Sequence, residues 1–276
     1  MDSEIASSRS PTTPGRPWSR RSLAIAAAVN NEEILRDNLG ASPVFQDAGL
    51  ALRAERGHDS AGRAYNHALD RTEAEIVVFA HQDVYLPEAW CRKLRAAIET
   101  LEARRENWAV LGIVGVDRSG ALVGRSWSNG LHLEIDTHLT APTAAQAVDE
   151  LVIVLNRASG LRFDAELPGF HLYGTDLVQS ALAAGLGAYV FDGPVVHNSL
   201  PVTRLDGSYC RAYRYMQRKW RARLPIKTTI VPITRWGWPL FSWQLRRRIR
   251  SFRERPTTQR CPSPAGVARK LGYEGQ

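Results

Sequence analysis

A short apolar segment followed at once by polar residues constrains the fold of this chain most strongly. Ile76–Ala80 are five consecutive apolar residues without alternation, which is the pattern of a strand buried on both faces. His81, Gln82 and Asp83 end the run, and Pro87 stands where proline suits the first turn of a helix. Open α/β sheets bind ligands at the edge where such strands end. The pattern therefore predicts an α/β fold with Asp83 at a ligand-binding edge, although an ordinary loop aspartate also fits this position.

Charge and cysteine content limit the classes of function. The chain has 276 residues, a formal net charge of +8 and three widely separated cysteines, Cys91, Cys210 and Cys261. These cysteines suit neither a disulfide framework nor a metal-binding pair, which favours a reducing, cytoplasmic location. The positive charge favours an anionic partner: nucleotide phosphates, acidic lipid or nucleic acid. No stretch of the sequence approaches the roughly 18 apolar residues of a membrane span.

The N-terminal residues allow two interpretations. Residues 1–21 are rich in Ser, Thr, Pro and Arg, which predicts a disordered tail because little apolar surface is available for burial. Arg20 and Arg21 before an apolar run also resemble a twin-arginine export signal. That run is short, however, and polar residues follow it directly. We therefore interpret Leu23–Val29 as the first buried strand.

Strand and helix patterns alternate in the rest of the chain. A helical pattern begins at Glu32, a weak helix or loop follows as far as Gly57, and a strong helical pattern covers 61–69. Together with the strand at Ile76, this order predicts a mostly parallel sheet. Residues 117–148 suggest hairpins or a loop insertion. The other predicted elements are a helix that Pro87 opens, strands at Trp108–Val116, Leu151–Leu155 and Tyr189–Phe191, a helix after Asp176 that ends at Gly185, and a last strand before His197.

Five motifs occur in a specific order. They are Asn30-Asn31-Glu32-Glu33, Ser60–Asn66, His81-Gln82-Asp83-Val84, Gly174-Thr175-Asp176 and His197. This set resembles family 2 glycosyltransferases of the GT-A fold, in the nucleotide-diphospho-sugar transferase superfamily, and among them a non-processive bacterial group with a His-Gln-Asp-Val turn. The resemblance covers residues 22–200 and implies a three-layer α/β/α sandwich with a mostly parallel central sheet. Residues 201–254 would then be a basic, aromatic-rich helical extension that packs on the domain or on a membrane surface, and 255–276 a loose tail.

The resemblance implies a divalent cation, Mn²⁺ or Mg²⁺, at the His-Gln-Asp turn. The family holds this ion with an Asp-x-Asp turn, of which Asp83 keeps the second carboxylate. His197 matches a position that supplies a further ligand in some of these folds. His81 replaces the first aspartate and is assigned to the nucleotide site; its imidazole suits Mn²⁺ better than Mg²⁺. Both histidines can instead be structural residues at strand ends.

The resemblance also implies residues for the reaction and for the donor. Asp176 matches the general base of inverting enzymes, although a carboxylate before a helix can be an N-cap, as can Thr175. Asp149 and Glu150 match an acceptor-positioning pair or form a solvated turn. The nucleotide-binding residues are Asn30 and Glu32 beside the base and ribose, Asp59 and Asn66 flanking the nucleotide, and Lys219 near the diphosphate. Asn66 can instead be a helix-surface amide, and Lys219 part of a solvated basic helix.

The C-terminal third adds a possible surface for lipid. Aromatic residues from Trp236 to Trp243 run into Arg246–Arg248. This composition suits a helix on an anionic membrane, and it suits equally a helix that packs its aromatics on the core.

Three functions remain from the sequence. The first is a hexosyltransferase-like glycosyltransferase that moves a sugar from a nucleoside-diphosphate sugar to a hydroxyl of a glycan, a lipid-linked molecule or another acceptor. We expect this enzyme in the cytoplasm, either free or peripheral on the inner face of the membrane. The second is a catalytically silent relative that binds nucleotide or glycan. The third is a basic protein that binds nucleic acid or a membrane surface; nucleic acid is not expected, because no nucleic-acid motif is present.

Overall fold

The computed structural model describes residues 22–45, 50–200, 205, 207–250 and 259–274, without the side chains of 247–250. Twelve strands of this described part form one sheet, and seven α-helices accompany it. The strands are β1 (Leu23–Ala28), β2 (Leu52–Glu55), β3 (Ile76–Ala80), β4 (Val84–Tyr85), β5 (Trp108–Gly112), β6 (Val114–Asp117), β7 (Leu122–Ser128), β8 (Leu133–Thr137), β9 (Thr143–Val148), β10 (Val152–Asn156), β11 (Gly187–Val190) and β12 (Val195–His197). The helices are α1 (Glu32–Asp37), α2 (Ala61–Asp70), α3 (Trp90–Ala103), α4 (Tyr173–Ala183), α5 (Gly207–Lys219), α6 (Trp238–Arg250) and α7 (Pro264–Lys270).

Six strands in the order β2-β1-β3-β10-β5-β11 form the mainly parallel half of the sheet. β1 pairs in parallel with β2 and β3, and β5 pairs in parallel with β11. β10 runs antiparallel to both of its neighbours, so five of the six strands share one direction. The carboxyl ends of β1 and β3 therefore meet at the same edge, as the sequence predicts.

The side chains of β1 alternate between two hydrophobic cores. Ala24 and Ala26 pack in one core with α2, α4 and α5, whereas Leu23 and Ile25 pack in the other with α1 and α3. A strand that is covered on both faces needs apolar residues at every position, which explains the unbroken apolar runs. The predicted α/β class with three layers is confirmed.

The second half of the sheet is mainly antiparallel and continues in the order β9-β6-β7-β12-β4, with β8 on β7. The predicted strand Trp108–Val116 is in fact two strands, β5 and β6, separated at Ile113. β5 lies in the parallel half, while β6 pairs with β7 and β9. Hydropathy does not reveal this break, because residues on both sides of it are buried. The hairpins predicted for 117–148 are present as β7, β8 and β9.

Other differences concern element ends. β2 lies where a weak helix or loop is expected. Among the described strands it pairs with β1 alone, so Leu52, Arg53 and Ala54 stay partly exposed. The sequence of β2 therefore contains no continuous apolar run. The helix that Pro87 was expected to open begins three residues later, at Trp90. α4 begins at Tyr173, so Asp176 lies inside its first turn and neither Asp176 nor Thr175 is the N-cap. Gly185 follows α4 with a φ of +71°, the left-handed conformation that glycine adopts easily at this position.

The C-terminal residues contain more order than expected. α5 packs Tyr209, Tyr213 and Met216 into the core. On α6, Leu240 and Trp243 pack against the core, while Trp238 and Phe241 are largely exposed. Where a loose tail is expected, α7 forms and the tyrosine that follows it, Tyr273, is buried with β4 and β12. The described helices include none that is long and apolar enough to cross a bilayer. Residues 1–21, with Arg20 and Arg21, lie outside the described part, and the division at 200/201 stays a prediction.

Candidate functional site

A cleft of about 460 Å³ lies at the carboxyl ends of β1 and β3. Asn30 contributes from the exit of β1, Glu55 and His58 from the exit of β2, and the His81-Gln82-Asp83 turn from the exit of β3. Tyr65, Phe170 and Tyr173 supply aromatic surface. The cleft thus stands at the edge of the sheet where the sequence places a ligand.

His81, Asp83 and His197 converge beside this cleft. Their ligand atoms, one from each side chain, lie within 4.8 Å of one another. The His197 Nε2 atom is 3.5 Å from Asp83 Oδ1, and the two imidazole rings are 6.1 Å apart between centroids. The cause is local pairing: β4 follows the turn and lies antiparallel to β12, with His197 opposite Val84. The backbone N–H of Asn198 also donates to Asp83 O at 2.8 Å.

The carboxylate of Asp83 is surrounded by positive or ionisable groups. Burial would raise the pKa of Asp83, but His197, His81 and Arg260 outweigh it and hold the pKa well below its usual range. Burial also lowers the pKa of His81, which favours a neutral imidazole. A carboxylate that stays ionised and a neutral imidazole are the protonation states that ligate a metal.

The donor set fits the cation that the family resemblance implies. Two imidazoles and one carboxylate offer mixed nitrogen and oxygen ligands, which suit Mn²⁺ or another transition ion better than Mg²⁺. The Tyr173 hydroxyl lies 2.9 Å from His81 Nε2 and so fixes the orientation of that ring. Partners of this kind on a histidine ring are common in metal sites. His81 therefore belongs with the candidate metal ligands, while the sequence assigned it to the nucleotide.

Arg260 is a residue of this site that sequence reasoning missed. Its Nη1 atom is 3.4 Å from Asp83 Oδ2 and also donates to the carbonyl oxygen of Asn198. The side-chain amide of Asn198 exchanges two hydrogen bonds with the backbone of Cys261, at 2.7 and 2.9 Å. These contacts bind the segment after residue 258 to the end of β12. Because 177 residues separate Arg260 from Asp83, no local pattern signals the pair.

Gln82 and Tyr173 are two further residues without a predicted role. The side-chain Oε1 atom of Gln82 accepts from the backbone N–H groups of Asn30 and Asn31, both at 3.1 Å. The side-chain Nε2 atom of Gln82 donates to Asn30 Oδ1 at 2.6 Å. It therefore joins the exits of β1 and β3. Tyr173 donates to Glu150 O at 3.2 Å besides contacting His81, and so connects the turn to the start of α4.

The predicted nucleotide residues are not all brought together. Asn30 lines the cleft. Glu32 is exposed and forms an ion pair with Arg56 at 2.6 Å. Asp59 is exposed, is 3.6 Å from Arg63, and borders a different cavity. The Asn66 side chain donates to Phe163 O at 2.8 Å and accepts from Phe163 N, so its amide is used to hold a loop.

Asp176 and Lys219 contact each other away from the cleft lining. The Asp176 carboxylate is 2% exposed; one oxygen accepts from Lys219 Nζ and the other from Trp220 Nε1, both at 2.7 Å. Lys219 also contacts Asp164 at 2.7 Å. Burial raises the pKa of Asp176 despite these donors. In this conformation both oxygens of the predicted base are occupied by donors of the chain itself.

Asp149 and Glu150 precede β10, and their carboxylates interact with neighbouring groups of the chain. Asp149 accepts from Leu151 N at 3.2 Å and from the Thr229 hydroxyl at 2.9 Å. Burial, and then the nearby Asp149, raise the pKa of Glu150 to about 8, against the opposing effect of the backbone N–H groups of Gly174 and Leu172. Glu150 thus lies at the start of α4, where N–H groups lack partners within the helix.

Comparisons with known proteins give distant likenesses. No protein-family model matches the chain. The "ATP synthase subunits region ORF 6" protein of Fuscovulum blasticum is 27% identical over 182 residues, which are 64% of this chain and 72% of that protein.

Three solved structures show a low degree of similarity to this chain. The mannosyltransferase PcManGT of Pyrobaculum calidifontis, in complex with GDP-Man and Mn²⁺, is 14% identical with a TM-score of 0.44, over 72% of this chain and 62% of that one. S. aureus TarS is 13% identical with a TM-score of 0.43, over 72% and 39%. GalNAc-T7 with UDP, GalNAc and Mn²⁺ is 13% identical with a TM-score of 0.43, over 92% and 51%. The chain spans less than two thirds of each of these structures. TM-scores below 0.5 assign no function to this chain.

Removal of the Arg260 charge tests the electrostatics around Asp83. We expect Arg260→Ala to bind Mn²⁺ alone more tightly, on the order of tenfold, because the arginine and a cation compete for one carboxylate. Isothermal titration of full-length protein measures this affinity. The matched control is Arg269→Ala, an exposed arginine on α7. An unchanged or weaker Mn²⁺ affinity in Arg260→Ala would contradict the competition.

The pKa of Glu150 predicts a component of the pH dependence of stability. The folded state holds the Glu150 proton up to about pH 8, whereas the unfolded chain loses it near the ordinary glutamate pKa of 4.5. The unfolded state therefore binds fewer protons between these values, and stability falls as pH rises. We expect Glu150→Gln to lose less unfolding free energy than wild type between about pH 5 and pH 8, by roughly 2–4 kcal/mol. Denaturant titrations with chelator at both pH values measure the unfolding free energies of the two proteins. Equal losses of unfolding free energy in wild type and Glu150→Gln would contradict the raised pKa of Glu150.

Proposed function

We propose that this chain is a glycosyltransferase that transfers a sugar from a nucleoside-diphosphate sugar to an acceptor hydroxyl. The observation that carries the proposal is the convergence of His81, Asp83 and His197 at the carboxyl edge of the parallel strands, next to the cleft. The ordered motifs that resemble family 2 glycosyltransferases contain these same residues. A cluster that could hold a cation, beside a cleft at this edge, suits the binding of a nucleoside diphosphate.

His81, Asp83 and His197 would hold the divalent cation, with Mn²⁺ preferred on the chemistry of the donor set. A cation held there would offset the negative charge that develops on a leaving diphosphate. Arg260 adds a fixed positive charge on the same side of the cleft. Tyr65, Phe170 and Tyr173 provide the apolar surface against which the nucleoside part of the donor can pack.

Asp176 remains our proposed general base for an inverting transfer. Two observations support this role: the pKa of Asp176 is raised by burial, which strengthens it as a base, and Asp176 lies in the same first turn of α4 as Tyr173, the partner of His81. In the described conformation Lys219 and Trp220 occupy its two oxygens. The acceptor hydroxyl must therefore displace at least one of these donors before Asp176 can take its proton.

A catalytically silent, nucleotide-binding relative is the second candidate. The full occupancy of the Asp176 oxygens favours it, as does the replacement of the first aspartate of the metal-binding turn by His81. This candidate predicts binding of a nucleoside diphosphate without consumption of any donor.

The acceptor and the location of the protein belong to the same proposal. A glycan or lipid-linked acceptor at the inner membrane surface is consistent with the exposed aromatic residues before and within α6, among them Trp236, which is 86% exposed, and Trp238 and Phe241. Arg246 follows Trp238 and Phe241 on α6. Aromatic residues beside arginine suit the interface of an anionic bilayer.

Thermal-shift measurement with UDP and GDP, each with and without Mn²⁺, tests the donor site. At a nucleotide concentration about 100 times its Kd we expect a stabilisation of about 2.7 kcal/mol, or roughly 5–10 °C in Tm, only with both nucleotide and Mn²⁺. Asp83→Ala should abolish it, because the carboxylate ligand is lost. Asp59→Ala, an exposed aspartate outside the cleft, is the control. No stabilisation of wild type by either nucleotide with Mn²⁺ would refute a donor site.

The role of Asp176 separates an enzyme from a silent relative. We expect Asp176→Asn to reduce sugar transfer or donor hydrolysis by at least about 100-fold, because the amide cannot accept the proton. Binding of the nucleoside diphosphate should persist, since Asp176 does not line the cleft. Release of nucleoside diphosphate from a panel of nucleotide sugars provides the assay. Retained turnover in Asp176→Asn would exclude it as the base.

A further inference from the structure

A second cluster of ligand-type side chains lies at another wall of the cleft. Glu55 is the last residue of β2, His58 follows in the loop, and His67 lies on α2. Gly57 has a φ of +75°, a left-handed conformation that turns the loop sharply and brings His58 back to Glu55. Ser60 caps α2 by accepting from Arg63 N, which fixes the start of the helix that carries His67.

The three side chains are close enough to bind one ion. Their ligand atoms lie within 4.8 Å of one another. Glu55 Oε2 is 2.6 Å from His67 Nδ1 and 3.5 Å from His58 Nε2, and the imidazole centroids are 5.3 Å apart. With bonds of about 2.0–2.2 Å in a tetrahedral Zn²⁺ site, neighbouring ligand atoms are about 3.4 Å apart. The Glu55–His58 contact already has about this length, whereas the Glu55–His67 contact must lengthen.

Burial adds an electrostatic reason for a cation. Glu55 is 9% exposed, and a buried carboxylate needs a compensating positive charge. In the described parts of the chain, the ion pairs of Glu55 are with the two imidazoles. The adjacent Arg56 is directed to Glu32. A bound divalent ion would supply the charge while leaving both imidazoles neutral.

We propose that Glu55, His58 and His67 form a second metal site, selective for a borderline transition ion such as Zn²⁺. Two imidazole nitrogens and one carboxylate are typical Zn²⁺ ligands, whereas Mg²⁺ and Ca²⁺ prefer oxygen-only sites. The site shares no residue with the His81, Asp83 and His197 cluster. Three protein ligands leave a fourth position, and Glu55 and His58 both line the cleft, so this position faces the space proposed for the nucleotide.

Co²⁺ titration of the metal-free full-length protein tests the site, because four-coordinate Co²⁺ absorbs visible light strongly and reports its own ligands. We expect His67→Gln and His58→Gln each to bind one equivalent of Co²⁺ fewer than wild type and to lose the part of the visible absorption that comes from this site. Zn²⁺ should displace the band in wild type. His138→Gln, an exposed histidine outside both clusters, is the matched control.

A second pair of variants separates this site from the Asp83 site. His197→Gln should keep the part of the absorption that comes from the Glu55 site, because its ligand belongs to the other cluster. Glu55→Gln preserves side-chain shape and should weaken Co²⁺ binding at least tenfold even if a histidine variant fails to fold. Unchanged stoichiometry and spectrum in His58→Gln, His67→Gln and Glu55→Gln would overturn the proposal. Neither result depends on whether the protein transfers a sugar.

Discussion

The pairing of β12 with β4 is the interaction on which the candidate metal site depends. β4 has only two residues, yet it places Val84 opposite His197 and thereby sets Asp83 beside an imidazole from the far end of the sheet. β12 is held in turn by parallel pairing with β7. The antiparallel half of the sheet therefore positions one ligand, and the parallel half positions the other two.

The sequence predicted those features that short-range physics determines. The unbroken apolar runs of β1, β3 and β10 identify strands buried on both faces, and Asp83 follows from the position at which one run ends. β2 escaped notice because an edge strand with partly exposed residues carries no such run. The boundary between β5 and β6 was not predicted, because the residues on both sides of it are buried and the apolar run continues across it.

The contacts of individual side chains were harder to predict than the positions of helices and strands. Asn66 and Glu32 are near cleft residues in the sequence, but their side chains have other partners. The Asn66 amide donates to a loop backbone, and the Glu32 carboxylate pairs with Arg56. Arg260 and Tyr173 reach the site through packing between distant segments, which leaves no periodic signal in the chain. The family resemblance named His81, Asp83 and His197, which lie together in the structure. It also named Glu32, Asp59 and Asn66, which do not line the cleft.

The contact of Asp176 with Lys219 and Trp220 connects the C-terminal third of the chain to its interior. These two donors come from the end of α5 and the residue directly after it, whereas Asp176 belongs to the central layers. The ionisation of the interior Asp176 carboxylate is thus linked to the position of the end of α5. Any ligand that loosens this helix also changes the proton affinity deep inside the sandwich, so the two regions cannot respond independently.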